Sequence, residues 1–165
     1  MLSLDGERRS QPLIATPFGE FNGEISPDGA WLAYQSRESS GPPEIYVRPF
    51  PDVERGRQQI STSGGTRPMW ARSGRELFYL ATDGRLMAVA IQADSTSAFS
   101  HGNPRVVADT PTWAPLPGRS YDVSPDGQRF LMLKERERRK ADETPSQLIV
   151  VLNWLEELKR LAPAN

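Results

Sequence analysis

The stretch Ile25-Ser26-Pro27-Asp28-Gly29-Ala30-Trp31-Leu32-Ala33-Tyr34 returns in altered form as Val123-Ser124-Pro125-Asp126-Gly127-Gln128-Arg129-Phe130-Leu131-Met132. Both copies place a Ser-Pro-Asp-Gly turn between two short apolar runs. Proline presets φ at the first turn position, aspartate hydrogen-bonds the local backbone, and glycine accepts a positive φ. Apolar alternation on either side predicts two strands joined by a tight turn, with side chains directed into a core between sheets. Aligning the copies exposes a third, degenerate one at Trp70-Ala71-Arg72-Ser73-Gly74-Arg75-Glu76-Leu77-Phe78-Tyr79-Leu80. The turn glycines are then Gly29, Gly74 and Gly127, separated by 74 − 29 = 45 and 127 − 74 = 53 residues. A period of roughly 40–50 residues is that of four-stranded β-propeller blades. The longer second interval contains the Pro-rich loop Asp109–Ser120.

The first repeat predicts strands at Phe21–Ile25, Trp31–Ser36, Ile45–Phe50 and Arg57–Thr62. The second predicts Arg67–Trp70, Glu76–Leu80, Leu86–Ile91 and Arg105–Ala108. The third predicts Tyr121–Ser124, Arg129–Lys134 and the apolar run from Gln147 to Trp154. Upstream, Met1–Leu4 and Pro12–Thr16 read as the last two strands of an incomplete blade. The expected organisation is therefore residues 1–18 as that partial blade, 19–62, 63–109 and 110–153 as three blades, and 154–163 as a short C-terminal α-helix. Asn153 is placed to cap that helix, with Glu156 three residues on and Trp154, Leu158 and Leu161 at helical spacing. Trp31, Tyr34, Tyr46, Trp70, Phe78, Tyr79, Tyr121 and Phe130 are the expected large packing residues.

Composition narrows the functional classes. The 165 residues are enough for one domain with a real core. With 20 Lys and Arg against 21 Asp and Glu, the net charge is −1, without the positive excess of a nucleic-acid binder. The chain has no cysteine, which excludes disulfides, thiolate catalysis and Cys-ligated zinc. No apolar run reaches the roughly 20 residues of a membrane span, and the first eleven residues lack the apolar region of a secretory signal. The 13 glycines and 15 prolines are spread along the chain, which suits many short strands joined by turns.

The SPDG elements resemble the WD-like propeller repeats of the TolB type, over nearly the whole chain. The ordered set YVRPFP, TSGGTRPMWARSGRELFYL, LMAV, YDVSPDGQRFLML and VVLNWLEELKRL is similar to the C-terminal end of bacterial proteins that carry such propellers. Many of those place the propeller after a serine/threonine protein-kinase domain and a membrane span. The resemblance implies an all-β partial propeller of about three four-stranded antiparallel blades, acting on the extracytoplasmic, periplasmic side of a bacterial cell. A chain standing alone would be cytoplasmic. Propellers close with roughly four to eight blades, so the expectation is either further blades upstream of Met1 or self-association. The kinase signatures GxGxxG, HRD and DFG are absent from the sequence.

No catalytic constellation emerges. His101, the single histidine, lies in Phe99-Ser100-His101-Gly102-Asn103-Pro104 and reads as a loop residue, with no GxSxG elbow to support a Ser-His-Asp triad. A lone histidine with scattered carboxylates has no metal-ligand spacing. Asp28 and Asp126 repeat, but Ser73 stands at the third position, and serine can cap a turn without supplying a carboxylate. The run Lys134–Glu143 carries five basic and four acidic residues and reads as a solvated loop. The expectation is a non-catalytic binding or scaffold module with no cofactor and no metal, taking a protein or peptide ligand. Its candidate interaction surface is Arg37, Glu38, Arg67, Trp113 and Arg119, on loops expected to emerge from one face. Trp113 packed beneath its own Pro-rich loop is the equal alternative. The alternative function is the propeller portion of a prolyl-oligopeptidase-type peptidase, which would require an α/β hydrolase domain outside this sequence.

Overall fold

Three SPDG-type turns each close a hairpin. The computed structural model describes residues 10, 12–38, 40–93, 98–109 and 118–133. In each turn the glycine N–H donates to the carbonyl three residues back, Gly29 to Ser26, Gly74 to Ala71 and Gly127 to Ser124, at 2.8–2.9 Å. The glycines have φ of 74°, 69° and 71°, a region that costs glycine little and other residues more. Asp28 accepts from the Ser26 hydroxyl and from the Ala30 N–H, while Ser26 Oγ accepts from the Trp31 N–H at 2.9 Å. Asp126, Gln128, Ser124 and Arg129 repeat this arrangement. The serine of the motif is thus as occupied as the aspartate. In the degenerate copy Ala71 replaces it and is buried in the core instead.

The described residues are all-β, with antiparallel sheets. β1 (Glu20–Ile25), β2 (Trp31–Ser36), β3 (Glu44–Pro49) and β4 (Gln58–Gln59) form a four-stranded sheet in chain order. A single 3-10 turn, Val53–Arg55, lies between the last two. The second sheet contains β5 (Thr66–Trp70), β6 (Glu76–Leu80), β7 (Leu86–Ala93), β8 (Phe99–His101) and β9 (Arg105–Ala108). β9 pairs with the first half of β7 and β8 with its far half. β10 (Tyr121–Val123) and β11 (Phe130–Met132) form the third hairpin.

The three units stack through their faces. Trp31, Ala33, Ile45, Val47 and Ile60 of the first sheet pack against Trp70, Leu77, Tyr79, Val89 and Ile91 of the second. On the opposite face of the second sheet, Met69, Phe78, Leu80, Leu86 and Ala88 pack with Tyr121, Val123 and Phe130. Leu32, Tyr34, Tyr46 and Val53 line the other face of the first sheet beneath Leu13, Ile14 and Phe50. The expectation of one buried face per strand is therefore too weak for the central hairpins. Every residue of β2 is buried, because the second sheet covers one of its faces and Leu13, Ile14, Phe50 and Val53 cover the other.

Two further expectations are corrected. Pro12–Thr16 forms no strand. Pro12 has no N–H to give a ladder, and Leu13 and Ile14 serve as apolar cover for the first sheet instead. Phe99–His101 is a strand rather than a loop. This β7–β8 extension carries Phe99 onto Trp31 of the preceding sheet, ring centroids 4.8 Å apart. The strand expected at Met1–Leu4, the charged run from Lys134, the strand from Gln147 and the C-terminal helix lie outside the described residues, as does Trp113.

Candidate functional site

The first strands of successive units meet along one border, and both β1 and β5 are irregular there. Their ladders shift register between Phe21 and Glu24 and between Thr66 and Met69. Each bulge holds a non-glycine residue at positive φ, Asn22 at 52° and Arg67 at 54°. The two occupy the same repeat position, since 67 − 22 = 45. Asparagine tolerates this region, but arginine there costs roughly 1–2 kcal/mol and persists only where its surroundings hold it.

What holds Arg67 is a set of hydrogen bonds that reaches both neighbouring units. Its N–H donates to Gln35 Oε1 at 3.0 Å, and Asn22 Nδ2 donates to the same oxygen at 2.9 Å. Its Nε donates to the Gly118 carbonyl at 2.6 Å, and its own carbonyl accepts from the Tyr121 hydroxyl at 2.8 Å. Alongside, the Trp70 indole N–H donates to the Glu24 carbonyl at 3.1 Å. Arg119 makes an ion pair with the Glu24 carboxylate. Burial is the main influence on the Arg67 guanidinium and lowers its pKa from the usual arginine value, with Tyr121 opposing.

These residues surround a cleft of about 120 Å³, lined by Asn22, Gly23, Glu24, Arg67, Pro68, Met69 and Arg119. At ~30 Å³ per liquid water that is space for about four waters, well under the ~300 Å³ of a small-molecule pocket. It fits one polar side chain or a carboxylate. The Arg67 and Arg119 guanidiniums and the Glu24 carboxylate are its charged lining groups among the described residues.

The sequence candidates divide accordingly. Arg67 and Arg119 come together at the cleft, but as half-buried and ion-paired groups rather than free loop tips. Arg37 is exposed and does not line the cleft, its guanidinium 5.7 Å from the Phe21 ring centroid. Glu38 turns away to form an ion pair with Arg57, which lies 4.5 Å from the Tyr46 ring centroid. Asn22, Glu24 and Gln35 were absent from the sequence reading. The only signal that could have found Asn22 is its equivalence to Arg67 under the 45-residue repeat. His101 lies apart on β8, its Nδ1 2.9 Å from the Gly102 carbonyl. Among the described residues there is no cluster of three or more metal-ligating side chains, and no helix long and apolar enough to cross a membrane.

The tyrosines that join the units carry a pH signature. Burial, reinforced by Glu44, pushes the Tyr79 phenol up to about 12, and burial also raises Tyr121. A phenol that stays neutral in the folded chain but ionises at about 10 when unfolded destabilises the fold as pH rises. Stability is expected to be little changed by these phenols from pH 7 to 9 and to fall from about pH 10 upward, by about 2 kcal/mol for Tyr79 alone by pH 12. Urea midpoints across that range test this, and Tyr79→Phe should flatten the slope. No protein-family model matches this sequence, and no curated protein matches it.

Proposed function

We propose that this chain is a binding module built from propeller-type repeats of the TolB, WD-like kind, and that it acts by docking a protein or peptide rather than by catalysis. The observation that carries this reading is Arg67, an arginine at positive φ held between three units beside a small cleft that Arg119 also lines. Strained residues that the surrounding structure over-determines concentrate at binding sites. A preorganised guanidinium with Arg119 nearby suits a carboxylate, as an acidic side chain or a free C-terminus of an extended peptide. The association with bacterial kinase-linked proteins and the periplasmic location belong to this proposal through the repeat resemblance alone.

The test is selection from a phage-displayed random peptide library, followed by titration of the enriched peptides. Enrichment of Asp, Glu or a free carboxyl terminus is expected. Arg67→Gly relieves the backbone strain while deleting the guanidinium, so it should weaken binding about tenfold or more without lowering the melting temperature. Arg119→Ala should weaken it similarly, while Arg129→Ala should not. Binding indifferent to both cleft arginines would overturn the assignment of the site.

A further inference from the structure

The two filled contacts between units follow one register. Ala33 on the forward face of the first sheet packs in the same cluster as Trp70 on the rear face of the second. Its counterpart Phe78 (78 − 33 = 45) packs with Val123, the counterpart of Trp70 (123 − 70 = 53). One step further, the counterpart of Phe78 is Leu131 and that of Leu80 is Leu133, each 53 residues on. Phe78 and Leu80 are 2% and 1% exposed, whereas Leu131 and Leu133 are 73% and 49% exposed. The same contrast holds at the other end. Ile25, the counterpart of Trp70, is 49% exposed, and Trp70 is 5%.

We infer that the Leu131–Leu133 face docks a second copy of this chain, with Ile25 of one copy seated on Leu131 of the other. The occupant follows from the register. Each filled forward face carries the rear face of a like sheet, and among the described residues the rear face with its inner-strand position uncovered is that of β1 and β2, at Ile25. Leu13, Ile14 and Phe50 already cover the remainder of that face, around Leu32, Tyr34 and Tyr46. The contact is head-to-tail, so two copies related by a two-fold axis make it twice and close, whereas any other rotation builds larger rings or filaments. This inference rests on the stacking register and not on the peptide cleft, which neither Ile25 nor Leu131 lines.

Sedimentation equilibrium on the full chain, with Ile25→Asp and Leu131→Asp, tests it. The wild type should self-associate, and each variant alone should be monomeric, with the melting temperature of the wild type diluted until it dissociates. An equimolar mixture should regain association, because each variant retains the half that the other has lost. A monomeric wild type at the highest soluble concentration would overturn the inference. So would variants that still associate, or an Ile25→Asp protein that dimerises by itself through leucine against leucine. Should either aspartate variant fail to fold, hydrogen exchange on the wild type decides instead. Protection at residues 131–133 must rise with protein concentration, and constant protection would refute the contact.

Discussion

Phe78→Ala is expected to destabilise the protein by about 3–5 kcal/mol, read as a fall in the urea midpoint at constant slope. Phe78 sits at the centre of β6 and contributes to the core between the second sheet and the third hairpin. Its ring meets Phe130 edge-on, centroids 5.0 Å apart with planes at 84°. Truncation removes that aromatic contact together with the buried area, and the space left lies between two sheets whose backbones are fixed by their own ladders. Little collapse is available to refill it. The informative contrast is Leu131→Ala at the corresponding position of the third hairpin. Measured at low concentration, it should change stability by no more than about 0.5 kcal/mol, since solvent already covers that side chain. A Phe78→Ala cost below about 1 kcal/mol would mean that the third hairpin does not pack as described.

Gly64→Val should cost about 3 kcal/mol or more, for a reason that lies in the backbone. Gly64 has φ of 89°, and a Cβ built there would collide with Thr82 Cγ2 and lie 3.1 Å from Pro42 Cγ. The loop from Ile60 to Gly65 joins the first sheet to the second and is fastened from beneath by a buried carboxylate. Glu44 Oε1 accepts the Gly64 N–H at 2.9 Å, and its other oxygen accepts the Ser61 hydroxyl. Ser61 Oγ in turn accepts the Ile45 N–H at 2.8 Å, and the Gly65 N–H donates to the Pro43 carbonyl at 2.7 Å. Valine at position 64 would have to break this set or push Thr82 and Pro42 aside. Thermal unfolding of Gly64→Ala beside Gly64→Val separates the causes. Positive φ penalises both variants, while the β-branched side chain meets the neighbouring loops more severely.

Much of the local architecture was legible in the residues. A Pro-Asp-Gly turn between apolar runs is a purely local instruction, so β1, β2, β5, β6, β10 and β11 lie within a residue or two of their expected positions. The 3-10 turn and the β8 extension were not legible. β8 consists of Phe99-Ser100-His101 beside Gly102 and Pro104, residues whose own propensities favour a loop. It becomes a strand because β7 runs on to Ala93 and offers an unpaired ladder, and because Phe99 gains the surface of Trp31. Tertiary contact overrode local preference. Of the candidate surface, Arg67 and Arg119 were singled out by residue type and loop position, and the structure places both beside one cleft. Their partners Asn22, Glu24 and Gln35 are polar residues in strands whose sequence carries no sign of the bulge in β1, and nothing local distinguishes them.

The sequence by itself determined the turns, the strands that flank them and the repeat that relates Asn22 to Arg67 and Phe78 to Leu131. Those features depend on backbone φ, side-chain alternation and spacing, which are properties of short stretches of chain. Only the tertiary structure decided that β2 is buried on both faces, that the Arg67 guanidinium reaches the Gly118 carbonyl, and that Leu131 is open where Phe78 is covered. Each depends on which sheet lies against which, set by contacts between residues some fifty positions apart, and residues identical in character receive opposite environments according to whether a neighbour is there.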